Sequence, residues 1–184
     1  MLKHSLLALT LIAGAAQAAV ENGSLNFNWQ GTTPADAVVP ASWKFTDAVG
    51  GDYTPTTSAL NMSVGGNGVL EINSAANHSF FITATTGTLN SVDAYLGTNP
   101  VSSGFVASKQ LALATSATPA DDQVAILMNN QPLKVGAANK IPVGGTGAQR
   151  SVDISLAAKA AASTFAEKSV IGFSVPVIFA VDIT

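Results

Sequence analysis

The segment 171–183 constrains the fold most, because six of its alternate positions are large apolar residues, the longest such run in the chain. A β-strand turns every second side chain to the same face, so this pattern predicts a long strand with one buried face. The alternating positions are Phe173, Val175, Val177, Phe179, Val181 and Ile183. Since the sequence stops one residue later, we expect the far edge of this strand to lack a following strand and to need a cover.

A second alternating segment, AVENGSLNFNWQG, occupies 19–31. It predicts a strand with an apolar face and a gap in that face. The predicted apolar positions are Val20, Leu25, Phe27 and Trp29, with the gap at Gly23. Such a strand is suited to completing the sheet of another molecule, and pairing within its own sheet as an ordinary edge strand is the alternative. The gap favours donation modestly, because it can accept a protruding side chain or a close backbone approach.

Joining the first strand of one copy to the last strand of the next would satisfy both ends of the chain. That contact is heterologous, so it would propagate as a fibre. Burying the four large side chains is worth about 6–12 kcal/mol as an upper estimate. A domain has a net stability of about 5–15 kcal/mol, so we expect the fold to be marginal without a donated strand.

The first 18 residues have the pattern of an export signal. Lys3 and His4 give a basic start, 6–13 is a short apolar core, and 16–18 (AQA) is a small-x-small cleavage site. Cleavage after Ala18 would leave the strand segment 19–31 and a single domain at 32–184. The apolar end, 169–184, is too short to span a bilayer and contains Pro176, so it predicts a buried strand and no membrane span.

The composition argues against several partners. Charged residues make up 10% of the chain and the formal net charge is −3, so nucleic acid and anionic lipid are not expected partners. The sequence has no cysteine although it carries an export signal. Stability must therefore come from the core, from oligomerisation, or from both.

Short apolar segments separated by Gly, Pro, Asn, Thr and Ser clusters predict an all-β sandwich. The predicted strands besides the two terminal ones are 38–45, 59–64, 68–72, 79–84, 91–96, 105–115, 123–128, 132–135 and 150–157. Asn129-Asn130 is suited to a two-residue hairpin turn. The alanine-rich segment 157–168 has helix-forming composition, and the alternatives there are a short helix or, more strongly favoured, a strand end followed by a loop.

Candidate catalytic and metal-binding groups are few. The chain after the signal has one histidine, His78, whose surroundings indicate an ordinary strand-end residue and not a triad member. The neighbours Asp121 and Asp122 indicate a solvated turn, without the ligand spacing of a calcium loop. The glycine-rich segment 144–147 lacks the lysine of a phosphate loop. We therefore expect no catalytic, cofactor or metal site.

The segments NGSLNFNWQG, PVSSGFVASKQLALAT, QPLKVG and PVIFAVDI resemble bacterial fimbrial subunits of the chaperone–usher pathway. The resemblance is to the cysteine-free major pilins of the coli surface antigen fimbriae, the colonisation factors of enterotoxigenic Escherichia coli, and it extends over most of the mature chain. It implies an incomplete immunoglobulin-like sandwich without a final strand. It also implies a surface fimbria for adhesion and virulence, whose partners are identical subunits, a periplasmic chaperone, an outer-membrane usher and a host receptor bound directly or through a tip subunit.

By this resemblance, the chaperone lends a strand to the groove along Phe173 to Ile183, and the N-terminal segment of the next subunit replaces it in the fibre. Val20, Gly23, Leu25, Phe27 and Trp29 are then the donor positions. Trp29 is bulkier than expected so close to the domain body, and it is either the last donor residue or part of the first body strand.

Two other functions fit the sequence. One is a monomeric secreted carbohydrate-binding sandwich, in which Trp43, Tyr53 and Tyr95 would stack on sugar rings. Packing in the core or at its rim is the commoner fate of such aromatic residues. The other is a one-domain minor or tip subunit of the same kind of fimbria.

Overall fold

The computed structural model describes residues 20–29 and 41–184. In these residues the fold is all-β, with two sheets and no α-helix, as the sequence predicts. The strands are β1 (Val20–Asn28), β2 (Trp43–Thr46), β3 (Leu60–Val64), β4 (Leu70–Ser74), β5 (His78–Ala84), β6 (Leu89–Leu96), β7 (Val101–Ser103), β8 (Ala112–Leu113), β9 (Gln123–Met128), β10 (Gln131–Pro132), β11 (Ile141–Pro142), β12 (Gln149–Ala160) and β13 (Gly172–Ile183). The expected signal peptide and residues 38–40 of the expected second strand lie outside the described residues.

Each sheet is built around one 12-residue strand. In the first sheet the order is β1-β13-β6-β11, and β7 pairs with β13 beyond the end of β6. In the second sheet β12 pairs with β9 along one edge, and with β5 and then β4 along the other. β2 continues from β5, β3 from β4, and the short β8 and β10 from β9. All of these pairings are antiparallel except that of β8 with β9.

The inner faces of the two sheets form one hydrophobic core. Along β12 and β13, alternate residues are buried, as a period of two requires. The largest fully buried side chains are Trp43, Phe27, Phe80, Phe179, Leu25, Ile72, Ile82, Leu96, Ile126, Met128, Leu133 and Ile154. They come from both sheets, which makes the architecture a β-sandwich.

Several local predictions are confirmed. The strand 123–128 has the expected bounds, and Asn129 and Asn130 form the turn to β10 with φ of 48° and 67°, values that fit a type I′ hairpin turn. The alanine-rich segment is strand up to Ala160 and loop beyond it. Its backbone pairs with β4 and β9 at once, so sheet formation overrides the helical preference of alanine.

The predicted strand 105–115 is wrong. Val106–Ser108 forms a short 3₁₀ turn with a left-handed Ala107, and only Ala112–Leu113 is strand. Here the chain follows the loop that joins β12 to β13, because the Val106 N–H donates to the Thr164 carbonyl at 2.8 Å. Likewise, the predicted strand 132–135 shortens to the two residues of β10.

Pro176 lies in the middle of β13, where a proline normally removes a ladder hydrogen bond. Its carbonyl accepts from the Gly97 N–H at 3.0 Å, so its backbone polar positions point away from β1 and toward the break between β6 and β7. The proline therefore removes no hydrogen bond from the pairing of β13 with β1. The expected buried strand at 169–184 is confirmed, and among the described residues no helix is long and apolar enough to cross a membrane.

Candidate functional site

The candidate site is the groove along β13, which β1 of the same chain occupies. The two strands pair antiparallel over nine residue pairs, from Val20 opposite Asp182 to Asn28 opposite Ser174. The ladder continues one residue further, because the Trp29 N–H donates to the Phe173 carbonyl at 2.9 Å. β1 thus covers one edge of β13, and β6 and β7 pair with the other edge.

The inward face of β1 becomes part of the core. Leu25 lies opposite Val177 and Phe27 opposite Val175, and both are almost completely buried, with exposures of 1% and 0%. Trp29 is also buried. On β13 the residues Phe173, Val175, Val177, Phe179 and Val181 are buried, and Ile183 packs against the core from a partly buried position.

Gly23 is buried opposite Phe179, at the gap in the apolar face. The Phe179 ring reaches across the core to the opposite sheet, where it meets Phe45 and Phe80 edge to face at centroid distances of 5.5 and 5.8 Å. This arrangement shows what the gap does in the fold. A residue without a side chain thus lies opposite the aromatic ring in the middle of β13.

Val20 is not on the buried face, and this part of the sequence prediction is wrong. Its side chain is 59% exposed. Val20 is three residues before Gly23, an odd number, so a strand turns it to the opposite face. The residue in phase with the gap is Glu21, which lies opposite Val181 and accepts a hydrogen bond from the Ser42 hydroxyl. Counting the phase of the alternation back from Leu25 would have identified Glu21.

The floor of the groove under Phe27 and Trp29 is aromatic. His78, the first residue of β5, lies 5.2 Å from the Phe27 ring and 5.5 Å from the Trp29 ring between centroids. The Phe80 ring stacks against Phe27 at a centroid distance of 6.0 Å. The Tyr53 ring stacks in turn against Phe80 at 4.7 Å. Trp29 therefore belongs with the groove, on the ladder and in the cluster.

His78 is a buried strand-end residue, but it is more central than the sequence suggests. Burial lowers the pKa of its imidazole below the ordinary value, because the charged form is desolvated there. Its Nδ1 lies 3.3 Å from the Tyr53 hydroxyl, while Nε2 and the Trp29 indole nitrogen have no hydrogen-bond partner in the described part of the chain. Only the tertiary structure brings His78 beneath β1, so no local pattern could have assigned it to the groove.

The two adjacent aspartates have different environments. Asp121 is exposed, whereas the Asp122 carboxylate pairs with Lys109 and accepts from the Ala161 N–H and the Thr164 hydroxyl. These contacts lower its pKa to about 2, with the Lys109 hydrogen bond as the largest cause. Asp122 thus fastens the loop after β12 to the chain before β9. Across the described residues, no three His, Cys, Asp or Glu side chains are grouped as potential metal ligands.

The aromatic residues considered for sugar stacking are not presented together. Trp43 is completely buried, with 0% exposure, so it cannot stack on a sugar. Tyr53 is partly buried against Phe80, and burial raises the pKa of its hydroxyl to about 12. Tyr95 lies on β6 opposite Ile178, in the other sheet. The expectation that Trp43 contributes to a sugar site is therefore wrong.

Comparison with known proteins gives one informative relative. The chain is 39% identical to the CS5 fimbrial subunit of Escherichia coli over an alignment that covers 100% of this chain and 98% of that protein. No protein-family model matches the chain, and no solved structure matches it. Identity at this level over the whole of this chain and nearly the whole of its relative, together with the two-sheet fold, shows that the chain belongs to the family of CS5-like fimbrial pilins.

Proposed function

We propose that this pilin polymerises by donor-strand exchange, in which β1 of one subunit fills the groove along β13 of its neighbour. The pairing of β1 with β13 carries the proposal. Side chains of β1 complete the core, yet β1 joins the rest of the described chain only through residues 30–40. An element of this kind makes the same contacts whether it comes from its own chain or from a second copy.

The length of the connection allows β1 to come either from the same chain or from a second copy. Trp29 lies at the start of β13, while Ser42 contacts Glu21 near its end. The distance between these two points is about 27 Å for eight residues of strand. The connection from Trp29 to Ala41 has a contour of at most about 40 Å. That length returns the chain to its own body in the self-paired monomer and also reaches a neighbouring body.

The burial of β1 is worth enough to hold two copies together once the strand has been exchanged. Leu25, Phe27 and Trp29 are each fully or almost fully buried, worth about 1.5–3 kcal/mol apiece, or about 4.5–9 kcal/mol together as an upper estimate. This range replaces the larger one expected when Val20 was included. It remains comparable with the net stability of a whole domain, about 5–15 kcal/mol.

The wider function follows from this role. A structural subunit of a surface fimbria, and not an enzyme, is what membership of a fimbrial subunit family supports. We propose that the fibre mediates adhesion to host cells, either through its shaft or through a tip subunit. We further propose that residues 1–18 direct export to the periplasm, that a chaperone strand covers the β13 groove there, and that an outer-membrane usher then assembles the fibre.

The test is a comparison of boiled and unboiled surface extracts in SDS gels. We expect the unaltered chain to give a ladder of multimers that boiling converts to monomer, and Phe27→Asp to abolish the ladder because it places a charge in the core. Asn26→Asp is the matched control, since it adds the same charge one residue away on the outward face of β1, opposite Pro176. We expect it to keep the ladder.

A second experiment distinguishes strand exchange between copies from pairing of β1 within its own chain. A chain that lacks residues 19–29 has a groove but no donor, so it should join a neighbour only at one end and cap short multimers when expressed with the intact chain. Recovery of only monomers from both chains, with soluble protein outside the cell, would overturn the proposal and favour a secreted binding module.

A further inference from the structure

β1 leaves the groove at one end of the sandwich, where β13 begins. The last ladder contact is that of Trp29 with Phe173, and the described chain resumes at Ala41. We call this end the exit pole. It is formed by β7, the ends of β3 and β12, and the loop 161–171 that joins β12 to β13.

Exposed apolar side chains concentrate at the exit pole. Seven large hydrophobic residues are exposed among the residues that the structure describes, and only Val20 and Val49 lie elsewhere. The other five lie on the strands and loops of this pole and are together called the exit patch: Met62, Val64, Val101, Val106 and Val170, with exposures of 48%, 59%, 59%, 46% and 70%.

Three residues of the exit patch lie beside the loop 161–171. Met62 and Val64 line a cavity of about 370 Å³ together with Phe165 and Ile171 of that loop. Val106 donates its N–H to Thr164. Each of these contacts links the patch to the same connection between β12 and β13.

The remaining two members lie where the loop enters β13. Val101 pairs with Ser174, two residues after the start of that strand. Val170 belongs to the loop itself, and its carbonyl lies so close to Gly104 that a Cβ on that glycine would be 2.0 Å away. Gly104 has φ of +85°, which glycine adopts without strain. This tight packing holds Val170 at the surface beside β7.

The domain body begins at the opposite end. The Ser42 carbonyl accepts from the Thr85 N–H at 2.8 Å, and the Ser42 hydroxyl contacts Glu21, which lies opposite Val181 near the end of β13. In a strand exchange, residues 30–40 would therefore lead from the exit pole of the receiving copy to the far end of the donating copy. That direction is head to tail, the arrangement that a fibre requires.

From this placement, we infer that the exit patch is the surface on which the body of the donating copy docks in the fibre, in addition to its β1 strand. The inference rests on the proposed strand exchange. The occupant is the far end of a second copy, because β1 leaves the groove at this pole and only the eleven residues 30–40 separate it from the body of the donating copy. A tether raises the effective concentration of the second contact, so even a modest apolar patch becomes occupied.

Single cysteines test the inference, since the chain has no cysteine and each introduced thiol is unique. Val170→Cys and Val64→Cys report on the exit patch. Val49→Cys is the control, because Val49 is 92% exposed at the turn after β2 and lies outside the patch. The measured quantity is the rate at which a maleimide reagent labels each thiol in the self-paired monomer and in purified fibres.

We expect the two patch thiols to react at least ten times more slowly in fibres than in monomers, and the Val49→Cys thiol to react at similar rates in both. Equal labelling of the patch thiols in monomers and fibres would overturn the docking surface while leaving strand exchange intact. Slowing of all three thiols alike would also overturn it, because the protection would not be specific to the patch. If heat-released multimers never form, strand exchange itself fails, and the docking surface fails with it.

Discussion

β1 and β3 are both outer strands, each paired with a single neighbour in the described sheets, but they contribute to the fold in different ways. The inward residues of β1 are buried in the core, whereas four of the five residues of β3 are exposed. β3 joins its neighbour β4 through a tight turn closed by the Gly65 N–H and the Val69 carbonyl. β1 pairs with a strand almost the whole chain away. The outer strand that matters most for the core is thus the one that local connections hold least.

This difference shows that an outer position in a sheet does not by itself make a strand easy to exchange between copies. A hairpin strand such as β3 returns to its neighbour at once, because the turn keeps the two together. β1 has no such turn, so under the proposed strand exchange a copy of β1 from a neighbouring subunit competes for the same groove.

Truncating Phe27 should have the largest effect. Phe27→Ala in the self-paired monomer removes a fully buried ring, so we expect the free energy of unfolding to fall by about 3–5 kcal/mol. Val64→Ala on β3 should change it by no more than about 0.5 kcal/mol, because that side chain is 59% exposed. Urea denaturation followed by tryptophan fluorescence measures both. Equal losses from the two variants would contradict the distinction between the strands.

Acid should weaken the packing under β1 through His78. Its pKa is lowered in the folded protein by burial, so the unfolded chain binds a proton more readily than the folded one. Stability is therefore unaffected by this group above the unfolded pKa of about 6.5 and falls as the pH drops below it. We expect the unfolding midpoint in urea to decrease between pH 7 and pH 5 in the unaltered chain.

The control for this prediction is His78→Phe, which keeps an aromatic ring beneath Phe27 and Trp29 but cannot be protonated. We expect the pH dependence over the same interval to be smaller in this variant. An identical pH dependence in the two proteins would show that His78 is not the group responsible.

The smallest effect should come from the Asp122 contacts, which hold the loop at the exit pole and do not touch β1. Lys109 and Asp122 are partly exposed, so Lys109→Met should cost only about 0.2–1 kcal/mol at pH 7. The pKa of Asp122 is lowered to about 2, so its stabilising effect is present above the ordinary value of 3.8 and is lost as the pH falls toward 2.

Urea midpoints between pH 5 and pH 2 test the Asp122 prediction. The loss of stability over this interval should be smaller in Lys109→Met than in the unaltered chain. An equal or larger loss in the variant would mean that Lys109 does not stabilise the carboxylate. Since the contact lies outside the groove, we also expect Lys109→Met to keep the heat-released multimers.

Sequence patterns predicted the strands best where a buried face alternates over many residues. β9 and β13 were predicted nearly to the residue, because the core selects every second side chain along them. The segment 105–115 also carries apolar residues, but Phe105 and Leu111 are buried without being part of a strand, and Phe105 packs against the Phe173 ring of β13. The local pattern does not distinguish these two routes to burial.

Most residues of the candidate groove were also predicted from the sequence, but two were not. The alternating positions from Phe173 to Val181, together with Leu25, Phe27 and Trp29, lie on one buried face, as their alternation indicates. Val20 was assigned to that face although its phase excludes it, so this error could have been corrected from the sequence. The place of His78 could not, because the fold brings β5 beneath β1 from a position about fifty residues further along the chain.

By itself, the sequence determined that this protein is an all-β sandwich with two apolar terminal strands, because alternation is a local property that the strand geometry imposes. Only the tertiary structure decided that those strands lie against each other, that Phe179 projects across the core opposite Gly23, and that exposed apolar residues gather where β1 leaves the groove. These features join residues far apart in the chain. Their proximity depends on how the two sheets pack and where the connecting loops cross, which no local pattern specifies.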